Sequence, residues 1–296
     1  MASLIVGIGE VLWDIYPDGR KVVGGAPFNF VFHCQQLGHP AAIISRVGTD
    51  DWGREQREAI RELGISDQFI QTDPEHPTGS VQITLSSEGL PNYTITENVA
   101  WDWIAWNPEL AHLVGEAKAI CFGTLAQRTK SSGQAIRNAV QHSNGLRVFD
   151  VNFRREVDCS SLTVSLSHAH WVKLNEMEQQ QLSQICGRPV QQLITQQLGT
   201  AGSRGAWIVT RGPHGCDITT NWEMITERGV PAHVVDTVGA GDAFTAALLC
   251  LYLEGRPLRE CARFANAYAA QVCELIGATP RIDRRAVESR LIGWLR

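Results

Sequence analysis

Short apolar runs and longer segments of helical period alternate along most of this chain. Leu4–Ile8 is a β-branched apolar run punctuated by Gly7 and Gly9, and Phe28–Leu37 carries apolar residues at helical spacing up to Gly38. Ala41–Val47 predicts the next strand and Trp52–Leu63 an amphipathic helix closed by Gly64. The rhythm resumes with strands at Ala119–Phe122, Leu146–Val151, His170–Leu174, Gly205–Thr210 and Cys216–Ile218, and a helix around Gln134–His142. The last third is helical, over Ala240–Glu254, Leu258–Leu275 and Arg284–Leu295. Brief apolar strands separated by helices predict an α/β fold, with an open, mainly parallel sheet covered by helices on both faces.

One region breaks the rhythm. Between Gly64 and Asn107 the helical period disappears, and Val81–Leu85 and Tyr93–Thr96 alternate apolar with polar residues around the turn-forming Glu88-Gly89-Leu90-Pro91-Asn92. This predicts a β-hairpin, too small for a core of its own. The chain therefore reads as one domain over 1–296, with a β flap at about 65–106 and a further strand at 20–25. The Gln-rich stretch Gln179–Gln197 is helical in pattern, with a solvated face.

Composition narrows the function. With 44% hydrophobic and 19% charged residues in 296, the chain has ample material for a core and is not disordered. A net charge of −5 and the lack of a basic run argue against nucleic acid as a partner. No stretch approaches the roughly 20 apolar residues that span a bilayer. The eight cysteines are scattered without a C-x-x-C pair, and the N-terminus has no basic leader. Reduced thiols, a cytoplasmic location and a small-molecule substrate are expected.

The strongest local signal is Asp236-Thr237-Val238-Gly239-Ala240-Gly241-Asp242-Ala243-Phe244, between an extended segment and a long apolar helix. Glycines at a helix start leave N–H groups free to hold an anion, phosphate above all. Asp242 falls beside them in the first turn, where it serves either as an acid favoured by the helix dipole or as a base for a hydroxyl attacking a phosphoryl group. The second signal is Gly24-Gly25-Ala26-Pro27-Phe28-Asn29, whose glycines permit a sharp bend and whose Asn29 offers a donor and an acceptor. Asp14 follows the first strand, at the end where open α/β sheets place ligands.

GGAPFN, Gly38 nine residues later and DTVGAGDAF near the C-terminus together resemble the two signatures of the PfkB (ribokinase-like) carbohydrate kinase family, from Ile5 to about Gly277. GEVLWDIYP, NVAWDW, GTLAQR and DVNFR are most similar to its fructokinase-like branch. The resemblance implies an ATP- and Mg²⁺-dependent sugar kinase with a β lid over the sugar, and leaves a monovalent cation open. It implies Asp242 as the catalytic base and Gly239, Ala240 and Gly241 as the anion hole. Asp14, Gly25, Asn29 and Arg154 match sugar contacts, with Gly24-Gly25 as the lid hinge. Asn175 and Glu178 match an N-x-x-E motif that positions Mg²⁺, water and phosphate. Thr210, Arg211, Gly212 and Gly215 match a nucleotide loop, and Asn266 an adenine contact. It further implies a homodimer, lid against lid.

Within the class, 2-keto-3-deoxygluconate kinase and ribokinase or nucleoside kinase are the alternatives to fructokinase. A catalytically silent sugar- or nucleotide-binding protein is the rival outside it. Trp13, Trp101 and Trp103 are candidate walls of the sugar site. His168 and His170 lack a third ligand nearby and read as structural.

Overall fold

Each apolar run is short because it crosses a sheet once and is buried on both faces by flanking helices. In the computed structural model, residues 3–85, 91–155 and 157–294 are described; of the turn expected at Glu88–Asn92, residues 88–90 lie outside them, and Pro91 and Asn92 belong to a strand. In chain order come β1 (Ile5–Ile8), β2 (Leu12–Ile15), β3 (Lys21–Gly24), α1 (Ala26–Gln36), β4 (Ala41–Gly48), α2 (Asp51–Glu62) and β5 (Ile70–Asp73). The hairpin strands β6 (Ser80–Leu85) and β7 (Pro91–Ile95) follow, then α3 (Pro108–Glu116), β8 (Ala119–Phe122), α4 (Lys130–His142), β9 (Leu146–Asp150) and α5 (Cys159–His168). Next are β10 (Trp171–Asn175), α6 (Glu176–Cys186), α7 (Val190–Ala201), β11 (Ala206–Thr210), β12 (Cys216–Thr220) and β13 (Met224–Glu227). Three helices complete the order: α8 (Ala240–Leu253), α9 (Leu258–Cys273) and α10 (Arg284–Trp294).

Nine strands form one sheet in the order β13-β12-β11-β10-β9-β8-β1-β4-β5. Pairing is parallel from β5 through β11, and β12 and β13 add an antiparallel edge. From β1 the chain winds outward through β4 to β5, then returns to β8 on the other side. Such a reversal opens a crevice at the carboxyl ends of the strands, where ligands of open α/β sheets bind. Alternation along the strands sorts two cores: Ile5, Ile43 and Val148 pack with Phe28 of α1 and Phe244 and Leu248 of α8. Val6, Ile44 and Phe149 pack on the opposite face with Val114, Ile136 and Leu166. Helix α8 is buried throughout 242–251, so its start is held by the core and not by a surface loop.

A second sheet has the order β3-β2-β6-β7, antiparallel except for the parallel β2–β6 pair. It has its own small apolar cluster, Leu12, Val81 and Ile83, with Tyr16 and Ile95 against it. This is the flap read from the sequence, with two corrections. Ile70–Asp73, inside the 65–106 span, pairs with β4 in the large sheet, where Ile70 is buried opposite Ser45. In exchange the flap recruits Leu12–Ile15, a four-residue strand too short to separate from the β1 run by pattern alone. The Gln-rich stretch is two helices parted at Gly187, whose φ of 58° ends α6. All eight cysteines are free thiols. Among the described residues no helix is long and apolar enough to cross a membrane.

Candidate active site

At the carboxyl edge of the large sheet, two helix starts face each other. Helix α8 begins after Gly239, whose φ of +77° places a would-be methyl 2.7 Å from the backbone of Ala278, so only glycine fits. Asp236 holds this turn, accepting from the N–H groups of Val238 (3.0 Å) and Gly277 (2.9 Å). Ala240 N–H goes to Thr237 O and Ala243 N–H to Gly239 O, which leaves the N–H groups of Gly241 and Asp242 without a backbone acceptor among the described residues.

Helix α1 starts after Gly25, whose φ is +113° and where a methyl would lie 2.4 Å from Glu10 O. One turn on, Asn29 Nδ2 donates to Asp242 Oδ2 at 2.8 Å across a buried contact. Asn29 Oδ1 is buried with no partner. Burial pushes the Asp242 carboxyl up to about 6, and the Asp150 carboxylate adds to this. The Asn29 bond and the Lys173 and Arg154 charges pull the other way.

The flap reaches the same place. Asp14 lies on β2, and a methyl on Gly24, the last residue of β3, would lie 2.2 Å from its Oδ2. Burial lifts Asp14 to about 6, against the pull of Arg154. Arg154 itself is exposed, in the segment after β9 where Asn152 takes a φ of +39°. Its charge acts on Glu10, Asp14 and Asp242 together. The structure thus gathers Asp14, Gly25, Asn29, Arg154, Gly239, Ala240, Gly241 and Asp242 at one junction.

Asn175 and Glu178 meet at the start of α6. They form a reciprocal cap of α6: Asn175 N–H donates to Glu178 Oε2 and Glu178 N–H to Asn175 Oδ1, both at 2.8 Å. Glu178 Oε1 also accepts from Phe153 N–H at 3.2 Å, tying α6 to the segment that carries Arg154. Both carboxylate oxygens of Glu178 already accept backbone N–H groups, which fits a Mg²⁺ held through water or phosphate.

Thr210, Arg211, Gly212 and Gly215 make the turn from β11 to β12. Gly212 and Gly215 have φ of +51° and +95°, and Glu227 O closes on Gly215. Arg211 pairs with Asp217 at 3.2 Å. Asn266 donates to Arg228 O at 3.2 Å, so its amide nitrogen holds the segment behind the turn.

Trp101 is wholly buried under Arg128 and packs the core, whereas Trp103 stacks on His76 and stays exposed. Trp13 is buried and donates to Trp52 O at 3.1 Å. His170 is buried and accepts from Arg147 N–H, as a structural histidine does.

Glu10 was missed. It is buried with Oε2 unpartnered, and burial, reinforced by Asp242, raises its carboxyl to about 7. An acid between the apolar runs Leu4–Ile8 and Val11–Trp13 was the available signal. Asp150 at the end of β9 and Lys173 beside it in the middle of β10 were missed too.

An acid at the free N–H groups of a helix start, faced by side-chain donors and acceptors, can take a proton beside a bound anion. Comparison with known proteins narrows this. Residues 15–284 match the pfkB family carbohydrate kinase description, and the chain belongs to that family. The uncharacterised sugar kinase PH1459 of Pyrococcus horikoshii is 31% identical over 304 residues, covering 95% of this chain and 94% of its own. Its structure in complex with ATP superposes with a TM-score of 0.80 at 29% identity, over 93% and 94% of the two chains. The fructokinase of Klebsiella pneumoniae is 27% identical over 289 residues, 93% of this chain and 92% of its own. The fructokinase of Xylella fastidiosa with bound ATP has a TM-score of 0.89 over the full length of both chains, at 19% identity, and supports the fold alone.

Proposed function

We propose that this carbohydrate kinase transfers the γ-phosphate of ATP to the primary hydroxyl of a ketose, with fructose the best acceptor. The observation that carries the reading is Asp242, a buried carboxyl held by Asn29 at 2.8 Å beside free helix N–H groups. As the sugar oxygen bonds to phosphorus and the bridge to the β-phosphate breaks, the hydroxyl proton passes to Asp242 and ADP leaves. The N–H groups of Gly241 and Asp242 face the charge that grows on the transferred group. A carboxyl held at about 6 is ionised at pH 7 yet more basic than an exposed one. Asp14, the open oxygen of Asn29 and Arg154 supply the acceptors and the donor that sugar hydroxyls need. The Thr210–Gly215 turn takes the nucleotide. Asn175 and Glu178 steady a Mg²⁺ through its water or phosphate shell, and that ion, when bound, neutralises phosphate charge.

Fructose is favoured by the relatives named fructokinase. A second reading, 2-keto-3-deoxygluconate, is favoured by the exposed guanidinium of Arg154, which can take a carboxylate. ADP release measured over fructose, ribose, 2-keto-3-deoxygluconate and nucleosides separates them. The highest kcat/KM is expected for fructose. A preference for the keto-acid overturns the sugar and leaves the kinase, and no turnover with any sugar overturns both. With fructose, Arg154→Ala should cost about 1–3 kcal/mol in kcat/KM. The outer strands of the flap sheet, β3 and β7, offer edges for pairing, which supports the flap-to-flap homodimer we propose. A fully active monomer in sedimentation at micromolar concentration overturns the dimer.

A further inference from the structure

Beneath the start of α8 lies a charge pair that neither the base nor the anion hole accounts for. Lys173 on β10 points its ammonium at both carboxylate oxygens of Asp150 on β9, at 3.2 Å each. Both side chains are about 8% exposed, a depth at which an ion pair is retained at a desolvation cost. The pair has a direction. A methyl on Gly241 would lie 2.8 Å from Lys173 Nζ, so the ammonium sits against the turn with the free N–H groups. The carboxylate sits one turn deeper, where the Thr245 hydroxyl is shared between Asp150 Oδ2 at 3.1 Å and Gly241 O at 2.9 Å. Positive end at the helix start and negative end further in, the pair lies along the helix macrodipole and adds to it.

We propose that Lys173, anchored by Asp150, is a positioning residue for phosphoryl transfer: its ammonium braces Gly241 from below and strengthens the positive helix start that receives the transferred group. This rests on Asp242 being the base of a sugar kinase. The advantage falls on the transition state, where phosphoryl charge grows, more than on sugar binding. The groups facing Asp242 are Asn29 from α1, Glu10 after β1, Asp150, Lys173, and Arg154 after β9. Lys173 favours the ionised form of Asp242 and Asp150 opposes it.

The test uses the full chain with its best sugar. Lys173→Met alone strands a buried carboxylate, so the neutral double variant K173M/D150N accompanies it, along with Asp150→Asn. The double variant should keep a Tm within a few degrees of wild type and a sugar KM within about threefold, while kcat falls at least tenfold. The acid limb of kcat/KM should move to higher pH in Lys173→Met and to lower pH in Asp150→Asn. A double variant with wild-type kcat, or two single variants with unmoved acid limbs, overturns the proposal by leaving the pair a packing device. Failure of the underlying reading is distinct: Asp242→Asn would keep near-normal kcat. A ¹³C titration of the Asp242 carboxyl in the same variants reads the opposed shifts without any turnover, and unmoved titrations likewise overturn the proposal.

Discussion

The floor of the site and the flap above it are built on opposite principles. The floor, where α1 and α8 meet, is set by groups with no room to move. Gly25 and Gly239 are each closed in by backbone atoms, α8 is buried over ten residues, and Asn29 and Asp242 bond inside the protein. The outer part of the flap closes on a cluster of three buried apolar side chains, while Trp13 of β2 and Val23 of β3 tie its base into the large core. The proton transfer proposed for Asp242 sits on the rigid part, and the cover proposed for the sugar rests on the lightly held hairpin β6–β7.

Removing the base gives the largest expected break in this contrast. Asp242→Asn keeps the shape and the Asn29 neighbour but cannot accept a proton, so kcat should fall by roughly 10²–10⁴ while sugar KM stays within severalfold. A flap variant should do the reverse. Steady-state kinetics on both, with unchanged Tm as the control, decides the contrast. An Asp242→Asn enzyme that loses sugar affinity instead would assign the carboxyl to binding.

The floor also carries a pH signature. Glu10, Asp14 and Asp242 have carboxyls raised by burial to about 7, 6 and 6. A raised carboxyl keeps its proton in the folded state after the unfolded chain has released it. Stability from these groups is therefore present below about pH 4 and declines as pH rises through about 7. For Glu10 the shift from 4.5 to about 7 corresponds to on the order of 3 kcal/mol. Glu10→Gln should flatten the fall in unfolding free energy across that window and be the more stable protein at pH 8. Denaturant titrations at pH 4.5, 6 and 8 check it; parallel curves for variant and wild type would mean Glu10 ionises in the fold as easily as in the unfolded chain.

Most of the floor was legible in the sequence because its demands are local. Gly239 and Gly25 announce themselves as glycines at helix starts, Asn29 and Asp242 lie within one turn of them, and the parallel strands show as apolar runs. What stayed hidden depends on distant partners. Glu10, Lys173 and Asp150 are single charged residues in or beside strands, and only the fold reveals that Lys173 meets Asp150 from the next strand and Gly241 from a helix. Asn175 and Glu178 were legible in two ways at once: their spacing marks the start of a helix as well as a ligand motif, and the structure shows them bonded to each other. The flap boundary failed for a third reason, since β2 and β5 are four residues each and only pairing tells which sheet owns them.

The smallest expected effect sharpens the comparison most. Ile83 is 8% exposed and belongs to the flap cluster with Leu12 and Val81, while Phe28 is fully buried in the large core under α1. Truncating Phe28 to Ala removes roughly 3–5 kcal/mol from the cooperative unit and should lower Tm by several degrees or more. Ile83→Ala removes a smaller contact from a sheet that can open without unfolding the body, so Tm should move by no more than about 2 °C. The loss instead falls on the closed flap: fewer molecules hold the sugar, KM rises severalfold, and water gains access to the γ-phosphate. Thermal unfolding, sugar KM and sugar-independent ATP hydrolysis measured on the two variants separate these effects. If Ile83→Ala lowered Tm as far as Phe28→Ala while leaving KM unchanged, the flap would be part of the core and not a cover, and closure over the sugar would have to come from elsewhere in the chain.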